Sequence, residues 1–157
     1  MNLQRTLRTA FVSFLLALPT FGFAQTILTV TTSEKSATYT LEDLLSMPQT
    51  TVVTKNDYVD DATAFQGPSL RSILTEMDLD RNANLKMVAL NDFVSEVPAK
   101  DAFTYDVILA VLRDGEVMSV RDKGPIWVIY PMDEHPELQD DVFNSRLVWQ
   151  LKSISVE

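Results

Sequence analysis

The spacing of apolar and polar residues along the chain switches several times between strand and helix periods. Ile27 to Thr32 mixes branched and polar side chains and predicts a strand. Thr40 precedes Leu41, Leu44 and Leu45, with Glu42 and Asp43 in the first turn. That order predicts an N-capped short helix ending before Pro48. Thr51 to Thr54 is β-branched throughout and predicts a second strand. Gly67-Pro68-Ser69 opens a clearer helix, because Leu70, Ile73, Leu74 and Met77 fall on one face at i, i+3, i+4 and i+7.

Lys86 to Leu90 and Val94 to Val97 predict strands that turn at Asn91-Asp92. Val107 to Leu112 and Val117 to Val120 flank Asp114-Gly115, a hairpin signal. Ile126 to Tyr130 is a continuous apolar run bounded by prolines and predicts a buried strand. Leu147 to Val156 predicts the closing strand. Seven or eight short strands and two or three short helices, without regular strand–helix alternation, define a compact α+β domain of mixed or antiparallel sheets.

The first residues read as an address. Arg5 and Arg8 precede an apolar run from Ala10 to Leu18, broken only by Ser13, and Gly22-Phe23-Ala24 supplies small residues at the −3 and −1 positions. This is the pattern of a cleavable secretory signal over residues 1–24, leaving 25–157 as a single domain. The run is short for a membrane span of about 20 residues. No second such run follows, so the mature form is expected not to span the membrane, and to be periplasmic or secreted. The two arginines are not adjacent, which fails the twin-arginine pattern and points to general secretion of an unfolded chain.

Charge and cysteine usage narrow the chemistry. There are 13 Lys+Arg against 22 Asp+Glu, a formal charge of −9. Cleavage removes Arg5 and Arg8 and no acid, which makes the balance two units more negative. Nucleic acid is therefore not an expected partner, since phosphate recognition needs clustered cations. The chain has no cysteine, which excludes disulfides, thiolate zinc sites, iron–sulfur clusters and a Cys nucleophile.

Other constellations carry little. Asp78, Asp80, Asn82 and Asn84 suggest a calcium loop, but Ala83 and Ala89 stand where an EF-hand needs Gly and Glu. A polar turn is the better reading. His135 is the single histidine, among Asp133, Glu134, Glu137, Asp140 and Asp141. A solvated acidic loop is preferred there to a weak divalent-metal site. No nucleophile elbow, P-loop or dinucleotide fingerprint occurs.

Five segments, in order, resemble the molybdopterin-binding domain of the sulfite oxidase family. Phe65-Gln66-Gly67-Pro68-Ser69-Leu70 with Ile73-Leu74 is similar to its "F-x-G-x-x-L…L-L" segment. Asn91-Asp92-Phe93 with Val97-Pro98 resembles its "D-G-Y…I-P" turn, and Leu109-Ala110 with Asp114-Gly115-Glu116 its "L-A…N-G-E" hairpin. Gly124-Pro125-Ile126-Trp127-Val128-Ile129-Tyr130-Pro131 is similar to "G-P-L-R-L-V-V-P", and Val148 to Ile154 to the closing "K-W-V-x-x-I" strand. The resemblance covers residues 27–156 and implies that family's α+β fold. The matched positions are turn residues and core aliphatics, so they speak to fold more than chemistry.

The departures bear on function. The resemblance places a molybdenum-binding cysteine just after an early β-branched strand, where this chain has Lys55-Asn56-Asp57. Trp127 stands in place of an arginine, and the loop Met132 to Glu137 is acidic where a pterin phosphate would favour bases. No cofactor is therefore expected, and molybdopterin enters only if ligation is atypical. Trp127 and Tyr130 face opposite sides of one strand, so one of them is expected to look toward the vacated cleft. Arg71, Asn91, Trp127 and His135 are the candidate lining residues. The leading expectation is a periplasmic module, not an enzyme, that binds a small molecule or a periplasmic or membrane protein, in a sensing role. The alternatives are a molybdopterin oxidoreductase with non-cysteine ligation and an interaction domain without a pocket.

Overall fold

The computed structural model describes residues 24–156. The leader expected over 1–24 lies, but for Ala24, outside the described residues. Strands β1 (Thr26–Thr31) and β2 (Ser36–Thr40) pair antiparallel. The chain then enters helix α1 (Leu41–Ser46), and a reciprocal box fixes its start. The Asp43 N–H donates to Thr40 Oγ1 at 3.1 Å, and the Thr40 N–H donates to the Asp43 carboxylate at 2.8 Å. The Thr40 N–H, and after it the Thr40 hydroxyl donating at 2.7 Å, hold the exposed Asp43 carboxyl below its usual pKa.

A long hairpin follows, β3 (Gln49–Asn56) with β4 (Val59–Pro68). Ser69 caps α2 (Leu70–Glu76), whose buried face is Leu70, Ile73 and Leu74, as the helical spacing requires. β5 (Asn84–Ala89) and β6 (Val94–Pro98) pair around a turn in which Asp92 takes a φ of 65°. Then come α3 (Lys100–Thr104), β7 (Ile108–Ala110), β8 (Leu112–Arg113), β9 (Glu116–Val117), β10 (Trp127–Ile129), α4 (Asp141–Asn144) and β11 (Leu151–Val156). Among the described residues no helix is long and apolar enough to cross a membrane.

The strands form three sheets. The largest has the order β2-β1-β11-β5-β6, with β1 and β11 parallel and the other pairs antiparallel. A second has the order β3-β4-β8-β9, and β7 pairs with β10 in a two-stranded ribbon. This is the expected α+β class with mixed sheets, and the fold is most simply read from that ribbon. Side chains alternate across it. Leu109, Val128 and Tyr130 enter the larger core with the five-stranded sheet and α2, whereas Ile108, Ala110, Trp127 and Ile129 enter a smaller core with Val52 and Phe65 of the β3–β4 hairpin. The ribbon is thus buried on both faces.

Several elements differ from the expectation. β2, α3, α4 and β4 were not foreseen, although β4 is a ten-residue strand. Its buried positions include Thr63 and Gly67, and Asp60 and Asp61 sit at its start, so no apolar alternation announces it. The turn at Asp114-Gly115 forms, but only Leu112–Arg113 pairs with Glu116–Val117, because Ile108 to Ala110 peels away to meet β10. The closing strand begins at Leu151, since Gln150 takes a φ of 52° and breaks the run. The Asp78 to Asn84 stretch is a turn, with Asp80 Oδ1 accepting from the Asn82 N–H at 2.7 Å.

Gly67 lets β4 pass against the ribbon. The Val111 N–H donates to the Gln66 carbonyl and the Leu70 N–H to the Val107 carbonyl, each at 2.9 Å. A Cβ on Gly67 would press on the Leu109 carbonyl group and on Ala110 Cα, which are backbone atoms that cannot rotate aside. Gly67→Ala is therefore expected to destabilise the protein by about 1–3 kcal/mol, the usual cost of overpacking. A urea midpoint equal to wild type would contradict that close approach.

Candidate functional site

The tip of the β3–β4 hairpin faces the segment that follows β10. Asn56 Oδ1 accepts from the Tyr58 N–H at 2.9 Å, which shapes the tip. Three hydrogen bonds tie the two segments together. The Lys55 N–H donates to Asp133 Oδ2 at 3.1 Å, the Asp133 N–H to Thr54 Oγ1 at 3.2 Å, and Asn144 Nδ2 to Asp57 Oδ2 at 2.6 Å. Between them lies a cleft of 340 Å³, its polar wall formed by Lys55, Asn56, Asp57, Asp60, Asp133 and Asn144. Its floor carries Val59 from the smaller core and Met132 from the larger. Two residues of its lining also carry a buried amide atom without a hydrogen-bond partner, Asn56 Nδ2 and Asn144 Oδ1.

A second cavity of 130 Å³ shares Asn144 with the first. Its walls are aromatic and apolar: Tyr58, Phe93, Leu147, Val148 and Trp149. The Tyr58 and Trp149 rings meet edge to face at 4.6 Å. Lys123, at a φ of 71°, places its ammonium 4.3 Å from the Trp149 ring centre and 5.3 Å from that of Tyr58. The ring faces therefore already hold one cation.

The four candidate residues are not brought together, and neither cavity contains two of them. Asn91 lines the smaller cavity. Trp127 is fully buried in the smaller core and donates its Nε1–H to the Leu147 carbonyl at 3.2 Å. Arg71 caps the end of α3, donating to the Ala102 and Phe103 carbonyls at 3.2 and 2.7 Å. His135 lies 3.5 Å from Glu137 and packs edge-on against the Tyr105 ring at 5.0 Å. Among the described residues no group of three His, Asp or Glu side chains is placed to hold a metal ion. Trp127 and Tyr130 do face opposite sides, but both are fully buried, so neither looks into open space.

Tyr130 belongs to a buried polar network instead. Its hydroxyl donates to Asp101 Oδ2 at 2.9 Å, and Arg146 pairs with the same oxygen at 2.7 Å. The Arg146 guanidinium also lies over the Phe143 ring at 4.7 Å. The network ties α3 and the end of β10 to the segment after α4. Burial raises the Tyr130 pKa well above the usual value, and the Asp101 carboxylate adds to this.

Part of the wall of the larger cleft, Lys55 to Asp57 and Met132–Asp133, comes from segments at which the family resemblance fails. Its donors are amides, carboxylates and one lysine, with no thiolate. They do not fit a molybdopterin. A soft metal centre is not matched by Lys, Asn or Asp, and three carboxylates repel a pterin phosphate. Sequence reasoning pointed to these segments but did not single out Tyr58, Asp60, Asn144 or Trp149 as lining residues. Their positions depend on the hairpin tip and α4 meeting across a long sequence separation, for which a single chain has no local signal.

No family model matches the chain. No curated protein matches it either. Among solved structures, the sulfane dehydrogenase SoxCD from Paracoccus pantotrophus has a similar fold, with a TM-score of 0.62 and 17% sequence identity. The likeness covers 82% of this chain and 37% of that chain, so this chain spans little more than a third of its neighbour's length. At that identity the likeness establishes the fold alone.

Two tyrosines outside the cleft give the protein a pH signature. Burial, then the nearby Glu76 carboxylate, push Tyr39 up to about 12, and Tyr130 is raised as well. Both groups are neutral acids whose folded pKa exceeds the unfolded value of about 10. Their contribution is fully present below pH 10 and is lost as pH rises through that value towards the folded ones. Unfolding free energy should fall by up to about 1.4 kcal/mol per pH unit for each tyrosine in that window. Tyr130→Phe should flatten the slope. An unchanged slope, followed by denaturant titration at each pH, would contradict the assignment.

Proposed function

We propose that this chain is an exported, cofactor-free binding module built on a molybdopterin-domain type of fold. The larger cleft is its ligand site. One observation carries the reading: Asp57 and Asp133 stand where the family resemblance expects a metal thiolate and basic side chains, in a cleft that Asp60 and Asn144 also line. That composition suits a small polar ligand held by a few hydrogen bonds in a concave site. Fold by itself does not give function, and the fold likeness to a sulfane dehydrogenase does not bring the activity with it. Two cavities that share Asn144 favour this reading over an interaction domain without a pocket. An exported binding domain of this kind suits the sensing component of a membrane receptor system.

The test is elemental and mass analysis of the protein purified from its native periplasm. We expect no stoichiometric molybdenum, no pterin released on denaturation, and an N-terminus at Gln25. A co-purifying small molecule in the same spectrum would identify the ligand. Molybdenum near one per chain, with a pterin, would overturn the proposal in favour of an oxidoreductase with atypical ligation.

A further inference from the structure

We infer that the cleft binds a small organic cation, with a primary ammonium head in the polar chamber and an aromatic or branched apolar tail in the adjoining ring-lined chamber. This rests on the binding reading above and names the ligand class for the same site.

Charge selects the head. Asp57, Asp60 and Asp133 outnumber Lys55 on the walls of the larger cleft. Asp57 lies on the hairpin tip and Asp133 on the opposite loop, so negative potential converges on the space between them. An ammonium carries three N–H donors and no acceptor, which suits carboxylates that face one space from two walls.

The shared residue sets the direction. Asn144 lines both chambers, so an ammonium head in the polar one would have the ring-lined one, with Tyr58, Phe93 and Trp149, beside it for a tail. Those side chains offer edge-to-face and dispersion contacts to an apolar ring. The reverse orientation is disfavoured by a cation already in place. Lys123 lies 4.3 Å from the Trp149 ring centre and would repel a second ammonium from the ring-lined chamber. The ligand therefore enters this pair of cavities with its charge in the polar one.

The experiment uses the mature protein and three probes of one shape: 2-phenylethylamine, L-phenylalanine and 3-phenylpropanoate. Trp149 lines the small cavity and the chain's other tryptophan, Trp127, has its ring centre 6.5 Å away, so intrinsic fluorescence responds to occupancy there. We expect saturable binding of 2-phenylethylamine that weakens with added salt, weaker binding of L-phenylalanine, and none of 3-phenylpropanoate. Asp57→Asn keeps an acceptor for Asn144 but removes the charge, and should weaken the amine about tenfold, the worth of one charge-assisted bond. Tyr58→Ala should weaken it by a similar factor and leave the binding of methylammonium unchanged. Both residues are exposed, and an unchanged melting temperature confirms that each variant is folded. No saturable response to 2-phenylethylamine, or binding of 3-phenylpropanoate or L-phenylalanine at least as tight, would overturn the assignment. A different molecule co-purifying with the native protein would refute the cation class and leave the binding reading standing, whereas stoichiometric molybdenum and pterin would remove both.

Discussion

Burial of the β7–β10 ribbon on both faces is the constraint on which the rest of the structure depends. A two-stranded ribbon is marginal by itself. Here each strand places alternate side chains into different cores, so Trp127 and Val128, though neighbours in sequence, stabilise opposite halves of the molecule. The β3–β4 hairpin must approach closely enough to cover one face, which is why Gly67 meets the backbone of β7. The five-stranded sheet and α2 cover the other. Beyond Ile129 the same strand runs through Tyr130 into Met132 and Asp133, so the element that divides the cores also delivers one wall of the cleft.

Much of the fold could be read from the sequence because its signals are local. The Thr40–Asp43 box, the Leu70 to Met77 face and the Ile126 to Tyr130 run each depend on residues within about two turns or one strand of each other. β4 escaped because it is made into a strand by its neighbours: β3 on one side and β8 on the other supply its pairing. The 107–120 hairpin was overextended for the opposite reason. The apolar alternation there was real, but Ile108 to Ala110 finds a better partner in β10 than across the turn.

The site was less legible. Arg71 and His135 were polar residues in promising contexts, yet one serves to cap α3 and the other packs against Tyr105 beside Glu137. Trp127 was read as a lining residue because an arginine was expected there, and it proves to be a core residue with its indole N–H bonded to Leu147. The residues that do line the cleft are polar turn positions such as Asp57 and Asn144, whose side chains meet across a separation of 87 residues. No periodicity marks such residues, and only the places where the chain departs from the family pattern pointed toward them.

The position of β11 has a consequence for how the molecule comes together in time. It is the last strand of the chain, yet it lies in the middle of the largest sheet, between β1 and β5. Until its six residues are present, the first hairpin and the β5–β6 hairpin have nothing to join them. A chain made N-terminus first therefore cannot lock its major sheet until β11 is present. Non-local pairing of this kind slows folding, since the ends of the chain must meet before the contact is rewarded. Assembly of the major sheet is therefore a late step, set by the arrival of β11 and not by the hairpins on either side of it.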